Sequence, residues 1–207
     1  MSATDATRLL RPGLLDGMRI ALAGAGEGSA PTAGAVSGAC EALGGEVLEL
    51  AEPVAGEPEV QEAHIDREVQ EICAGGRPID LLIVDAGAIH EGALAGGERA
   101  ALAACLSASW SFTRAVANVA FIPASRGRVI YLAPRTGAEH AAAAVSALEN
   151  LARTLSIEWS RHRVTTVAIA PGAGTPAGEV AALCAYLASP AGAYFSGCLL
   201  DLRGPGS

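Results

Sequence analysis

Six short apolar runs, separated by longer segments with helical spacing, constrain the fold of this chain most strongly. Each run has the length of a strand, and several are apolar throughout, which is typical of strands buried on both faces of a parallel sheet. The predicted strands cover 18–23, 47–50, 79–84, 128–133, 164–170 and 198–202. The first predicted helix ends near residue 43, and the others cover 59–73, 98–122, 139–162 and 178–188.

This alternation, with no internal repeat and no break in composition, predicts one α/β domain over 17–203. We expect a three-layer, Rossmann-like, doubly wound parallel sheet of about six strands. Residues 1–16 are predicted to be a leader and residues 204–207 a tail. On the helix over 59–73, we expect four apolar residues to form the buried side: Val60, Ile65, Val69 and Ile72.

Charge and cysteine content exclude several function classes. The net charge of −8 and the absence of a basic run argue against a nucleic-acid partner. The five cysteines are scattered without a Cys-x-x-Cys pair, so we expect neither a disulfide framework nor a metal site. No segment reads as a signal peptide or a membrane span, which predicts a cytoplasmic protein without a membrane partner. The abundant alanine and glycine are typical of high-GC bacterial genes.

Ligands of doubly wound sheets bind beyond the carboxyl ends of the strands, where loops are predicted over 24–30, 85–95, 133–140 and 171–178. The first of these loops contains Gly24, Gly26 and Gly28. Glycines there allow backbone N–H groups to approach a phosphate at a helix N-terminus. The spacing departs from G-x-G-x-x-G, and Glu27 adds negative charge. A tight strand-to-helix turn that needs only small residues explains the loop equally well.

Six short motifs occur in order along these elements. Residues 23–30 resemble a T-G-x-x-x-G-x-G turn, and residues 84–87 resemble N-N-A-G with Asp85 in place of Asn. Residues 127–132 and 147–155 resemble the strand that ends in a catalytic Ser and the helix after a Tyr-x-x-x-Lys pair. Residues 170–172 together with Thr175 resemble a Pro-Gly pair and a following Thr that contact a nicotinamide. Residues 189–201 resemble the loop and strand with which such a sheet ends.

Together these motifs resemble the short-chain dehydrogenase/reductase family over about residues 17–203, and in particular its 3-oxoacyl-carrier-protein-reductase-like members. The resemblance implies an NAD(P)-binding Rossmann fold. If a cofactor is retained, the resemblance places it at Gly24, Gly26, Gly28, Asp85, Ala86, Gly87, Pro171, Gly172 and Thr175.

The four catalytic positions of that family carry other residues in this chain. The Ser, Tyr, Lys and Asn positions fall on Pro134, Ala141, Val145 and Cys105. The family's chemistry needs a phenol as proton donor and an ammonium that lowers the pKa of that phenol, and these side chains supply neither. All 14 basic residues are arginines, so no lysine can take over the second role. We expect Cys105 to be a core residue.

Several segments are also shorter than the resemblance implies. Residues 52–58 leave too little room for the family's next helix and third strand, and the loop over 134–141 is short. Between Thr175 and Glu179 the helices that cover the substrate in the family are missing. A site without that cover cannot readily exclude water. We therefore expect a shortened sheet and no cofactor, with NAD(H) or NADP(H) as the alternative.

The leading functional hypothesis is a non-catalytic subunit that packs with itself or with an active relative through helices 98–122 and 139–162. Small residues on both helices permit close contact, and Trp110, Phe112 and Trp159 are the predicted anchors.

Two other functions stay open. One is an NAD(P)-dependent carbonyl or ketoacyl reductase whose replacement acid–base set is drawn from Tyr131, Arg135 and His140. The other is a nucleotide-binding sensor. The remaining histidines lie on polar segments, and we expect them to be solvated: His64, His90 and His162.

Overall fold

Six parallel strands form one sheet in the order β2-β1-β3-β4-β5-β6. The computed structural model describes residues 10–25, 31–51, 58–135, 137 and 140–204. The strands are β1 Arg19–Ala23, β2 Glu46–Leu50, β3 Leu81–Asp85, β4 Gly127–Leu132, β5 Val164–Pro171 and β6 Cys198–Leu202. The predicted doubly wound parallel sheet of six strands is confirmed.

Helices connect the strands in the described part of the chain. They are α1 Pro31–Ala42, α2 Pro58–Cys73, α3 Ala86–Ala93, α4 Glu98–Val116, α5 Ile122–Ala124, α6 Ala141–Glu158 and α7 Ala177–Ala188. The predicted single helix over 98–122 is α-helical as far as Val116, then widens into a π-helical turn over Ala117–Phe121 and ends in α5.

The strand side chains alternate between two apolar layers because successive residues of a strand point to opposite faces. On one face, residues such as Ile20, Leu22 and Ile83 pack with α1 and α7. On the other face, residues such as Ala21 and Tyr131 pack with α2, α4 and α6. The central strands are buried on both faces, which accounts for their unbroken apolar sequences.

Two predictions about local structure are wrong. The segment predicted as a loop over 85–95 contains α3, which begins directly after β3. Val60 is not on the buried side of α2, because 57% of it is exposed. Ile65 and Val69 are buried, and Val60 lies five residues before Ile65, which is roughly 140° around the helix. No described helix combines the length and apolarity needed to cross a membrane.

Gly192, which follows α7, and Gly38, on α1, differ in how closely the surrounding atoms approach them. A Cβ on Gly192 would lie 1.9 Å from the carbonyl oxygen of Leu187, which is backbone and cannot rotate away. We expect Gly192→Ala to lower the free energy of unfolding by about 2 kcal/mol or more. Gly38 is exposed on α1 with nothing within 4 Å of its would-be Cβ. There, Gly38→Ala should raise stability by roughly 0.5–1 kcal/mol. Urea denaturation checks both, and equal effects would contradict the close packing at Gly192.

Candidate functional site

The strand order reverses between β1 and β3, and this switch point is where ligands of open α/β sheets bind. In this chain, β3 passes into α3 without an intervening loop. The Asp85 Oδ1 atom accepts a hydrogen bond from the Ala88 backbone N–H at 2.9 Å, which caps the helix N-terminus. The beginning of α3 therefore lies at the carboxyl edge of the sheet.

Two glycines show how tightly α3 fits against the neighbouring turns. A Cβ on Gly24, whose φ is +85°, would lie 2.6 Å from the Asp85 carbonyl oxygen and 3.1 Å from Ile89 Cγ1. A Cβ on Gly87 would lie 3.2 Å from the Ala133 carbonyl oxygen. Gly24 therefore serves the close approach of α3 to the end of β1, which is a structural reason for a glycine at this position.

Arg135 crosses the same edge and joins three segments. Its Nη1 donates hydrogen bonds to the carbonyl oxygens of Gly172 at 3.1 Å and Thr175 at 2.6 Å. Its Nη2 donates to the Thr32 hydroxyl, on α1, at 3.2 Å. Nothing in the sequence pointed to this linking role of Arg135, because contacts made across loops leave no local sequence pattern.

Little space remains among these groups. The cavity between Thr32, Asp85, Gly87, Arg135 and Pro171 has a volume of about 10 Å³. That is room for about one water molecule, whereas ligand pockets usually measure about 300–1,000 Å³. Besides Asp85, a second carboxylate, that of Glu91, lines this cavity. Among the described residues, the space between these groups is about the size of one water molecule, so no chemical step is assigned to a nicotinamide here.

The four positions that the family resemblance aligns with the catalytic residues are buried and carry no accessible reactive group. Pro134, Ala141 and Val145 have side chains without acid–base chemistry. Cys105 is fully buried in the apolar layer between α4 and the sheet, as predicted. Burial, and secondarily the charge of Asp85, raises the pKa of the Cys105 thiol to about 12.

Tyr131 is the tyrosine nearest to these positions along the chain, and it is also inaccessible. Its ring is fully buried, and its hydroxyl lies 3.0 Å from the Thr113 hydroxyl on α4. Burial raises the pKa of the phenol well above its usual value. A phenol held inside the apolar layer cannot donate a proton to a ligand at the carboxyl edge.

The other predicted site residues are only partly brought together. Pro171 and Gly172 end β5 at this edge, and the Thr175 hydroxyl accepts from the Gly172 N–H at 2.9 Å and donates to the Leu202 carbonyl oxygen at 3.0 Å. The Thr175 hydroxyl is thus used within the protein. Gly26 and Gly28 lie outside the described residues.

His90 corrects another prediction. It was expected to be solvated, but it is fully buried on α3, and neither ring nitrogen has a hydrogen-bond partner in the described part of the chain. His90 is buried because α3 packs against α4, which is a tertiary effect that the local sequence does not reveal. Among the described residues, no group of three or more His, Cys, Asp or Glu side chains is arranged to hold a metal ion.

Comparison with known proteins supports the fold. No family model and no curated protein sequence matches this chain. A citronellol catabolism dehydrogenase (AtuB) from Pseudomonas aeruginosa PAO1 is 23% identical with a TM-score of 0.73, over 94% of this chain and 96% of that one. A short chain dehydrogenase from Mycobacterium smegmatis is 18% identical with a TM-score of 0.73, over 94% and 95% of the two chains.

A hydroxysteroid dehydrogenase from Escherichia coli is 16% identical with a TM-score of 0.69, and the match covers 94% of this chain and 99% of that one. All three structural neighbours are named dehydrogenases and one of them a short chain dehydrogenase, and at these identities the likeness establishes the fold alone. The predicted resemblance is therefore confirmed at the level of the fold, and the subtype stays a prediction.

Asp85 gives the site a testable pH dependence. Burial raises the pKa of its carboxyl to about 6, although the hydrogen bond from the Ala88 N–H lowers it. The unfolded chain releases this proton near pH 4, so between about pH 4 and 6 the folded state binds more protons. The contribution of Asp85 to stability therefore falls as the pH rises through this window and stays low above it.

We expect Asp85→Asn, which can keep the helix cap, to be more stable than the wild type at pH 7 by about 1–3 kcal/mol. The difference should shrink towards zero near pH 4. Urea denaturation at several pH values measures it, with Glu158→Gln as the control because Glu158 is exposed at the end of α6. A variant that is less stable at pH 7, or a difference independent of pH, would contradict the burial of a charged Asp85.

Proposed function

We propose that this chain is a short-chain-dehydrogenase-like protein, similar to 3-oxoacyl-carrier-protein reductases, that has lost the family's redox chemistry. In this proposal it acts as a non-catalytic subunit that packs with itself or with an active relative. The observation that carries the proposal is the closed crevice at the switch point. There, only about 10 Å³ remains beside Asp85, Gly87 and Pro171, three of the positions at which the family resemblance would place a cofactor.

The chemistry of the residues supports the loss of activity. Carbonyl reduction by a nicotinamide needs a group that delivers a proton to the developing alkoxide within hydrogen-bond reach. Pro134, Ala141 and Val145 cannot do so, and Cys105 and Tyr131 are enclosed in the core. Arg135 is engaged with backbone carbonyls and with Thr32, so its guanidinium acts as a structural link.

The outward faces of α4 and α6 support a role in assembly. Both helices cover the same face of the sheet and lie next to each other. Ile157 on α6 is 70% exposed and Trp110 on α4 is 41% exposed, so each helix presents a large apolar side chain at the surface. Exposed alanines at 103, 142 and 143 leave room for another helix to approach.

The three predicted anchor residues differ in their solvent exposure. Trp110 is available to a partner, whereas Phe112 is fully buried in its own domain, so the prediction that Phe112 is an anchor is wrong. Trp159 is partly buried and packs against the core. Several of the small residues that were assigned to partner contact are also buried against the sheet: Ala101, Ala108 and Ala115.

The alternative function is an NAD(P)-dependent oxidoreductase with a rewired site. It is favoured by the fold, since the similar solved structures are named as dehydrogenases. In this alternative, Arg135 would have to leave its three acceptors, and α3 would have to move away from Gly24. The rearranged edge would then have to hold a nicotinamide and supply the group that transfers a proton to or from the substrate.

Calorimetry with NADH and NADPH separates the two functions. We expect no saturable heat at millimolar cofactor for the wild type, because the described crevice has no room for the ring. Micromolar cofactor binding by the wild type would support the oxidoreductase instead.

Arg135→Ala should lower the free energy of unfolding by about 1–3 kcal/mol, since two carbonyl groups lose their donor. Arg153→Ala, which removes an exposed pair with Glu149, should cost less than about 0.5 kcal/mol.

Light scattering tests the assembly role. We expect the protein, alone or mixed with an active short-chain dehydrogenase from the same organism, to form a particle of at least twice the 20.7 kDa chain mass. Ile157→Asp and Trp110→Asp should reduce that particle to the monomer by burying a charge in the contact.

Val60→Asp is the matched control, because Val60 is equally apolar and exposed but lies on α2. A wild type that stays monomeric under both conditions would refute the assembly role. So would variants at 110 and 157 that assemble as the wild type does.

A further inference from the structure

A second cavity opens at the opposite, amino edge of the sheet, around the beginnings of β4 and β5. Its volume is about 430 Å³, which lies within the usual range of roughly 300–1,000 Å³ for small-molecule sites. Arg126, Arg128, Arg163 and Thr165 line it. The proposed assembly role uses the helices on the faces of the sheet and makes no use of this edge.

The sheet register places two of these side chains next to each other. Arg128 on β4 is paired with Thr165 on β5, so both side chains project from the same face of the sheet. That is the face covered by α7, as the alternate residues Ile130 and Val167 show. The Thr165 hydroxyl makes no hydrogen bond within the described residues and is available as a donor.

Arg128 forms no ion pair with a carboxylate among the described residues. Its Nη1 donates to the carbonyl oxygens of three consecutive residues, 187–189, at the end of α7. In the described part of the chain, its Nε and Nη2 have no partner and no acidic side chain pairs with it. Arg128 is half-buried, and this burial lowers the pKa of its guanidinium. A bound anion would supply the missing counter-charge.

The remaining charges around the cavity leave a positive excess. Arg126 and Asp80 offset each other through a 3.0 Å ion pair. Arg163 is exposed and has no ion-pair partner among the described residues. It also holds a left-handed φ of +55°, which costs a side-chain-bearing residue about 1 kcal/mol. Against Arg128 and Arg163 stands one carboxylate, that of Asp16, so the cavity has one uncompensated positive charge.

We propose that this cavity binds a small phosphate-bearing molecule, held by the guanidinium groups of Arg128 and Arg163 and by the Thr165 hydroxyl. A guanidinium presents paired N–H donors that match two oxygens of a phosphate. The cavity is large enough for a phosphate monoester with a short organic part. The ligand would bridge β4, β5 and the end of α7 and so would stabilise the folded state.

Thermal unfolding of the full chain in inorganic phosphate at pH 7.5, with chloride added to keep the ionic strength constant, tests the proposal. We expect a saturable rise in Tm, because a ligand of the folded state stabilises it by mass action. Arg163→Gln should weaken phosphate binding roughly tenfold or more, which is typical of losing one charge-assisted hydrogen-bond donor. Thr165→Val should weaken it less.

Arg161→Gln is the matched control, since Arg161 is exposed two residues away, carries the same charge and does not line the cavity. It should respond to phosphate as the wild type does. Arg128 is a poorer probe because its loss would also uncap α7.

Glycerol 3-phosphate and malonate distinguish a phosphate site from a carboxylate site. A stronger response to malonate would overturn the phosphate assignment. Equal stabilisation by phosphate and chloride, or equal responses of Arg163→Gln and Arg161→Gln, would overturn the site.

Discussion

The direct passage from β3 into α3 determines what the carboxyl edge of this sheet can hold. Because Asp85 caps the helix with its own side chain, no loop separates the strand from α3, and the helix begins beside the end of β1. Gly24 then meets the Asp85 carbonyl so closely that a Cβ would not fit. The crevice is closed partly by backbone against backbone and partly by the Arg135 side chain, so opening it would require α3 to move as well as Arg135 to rotate.

This closure carries an electrostatic cost that the described residues offset only in part. Asp85 Oδ2 and both ring nitrogens of His90 are buried without partners, and an unpaired buried polar group costs about 1–3 kcal/mol. An asparagine at position 85 could cap α3 in the same way without a buried charge. Arg135 contributes in the opposite sense, because its guanidinium gives carbonyl groups of the loop after β5 a donor. The site is therefore organised for internal contacts between loops.

The sequence patterns predicted the strands and the layers because each depends on local periodicity, whereas the assignment of vacant catalytic positions rests on the family resemblance and stays a prediction. The α3 helix was missed because residues 85–87 were interpreted as a cofactor loop, although Asp85 before an alanine-rich segment is also a helix-start signal. The burial of His90 and the reach of Arg135 depend on which helix and which loops lie opposite. Contacts of that kind have no counterpart in the spacing of one sequence.

The two edges of the sheet differ in how their arginines are used. At the carboxyl edge, Arg135 donates to acceptors of the protein itself, and about 10 Å³ remains. At the amino edge, Nε and Nη2 of Arg128 have no partner among the described residues, and they lie beside a cavity of about 430 Å³. The chain as a whole has a net charge of −8, so its long-range field repels anions and cannot guide one to this edge. Any affinity there must come from short-range pairing with the guanidinium groups, at distances over which salt screens little.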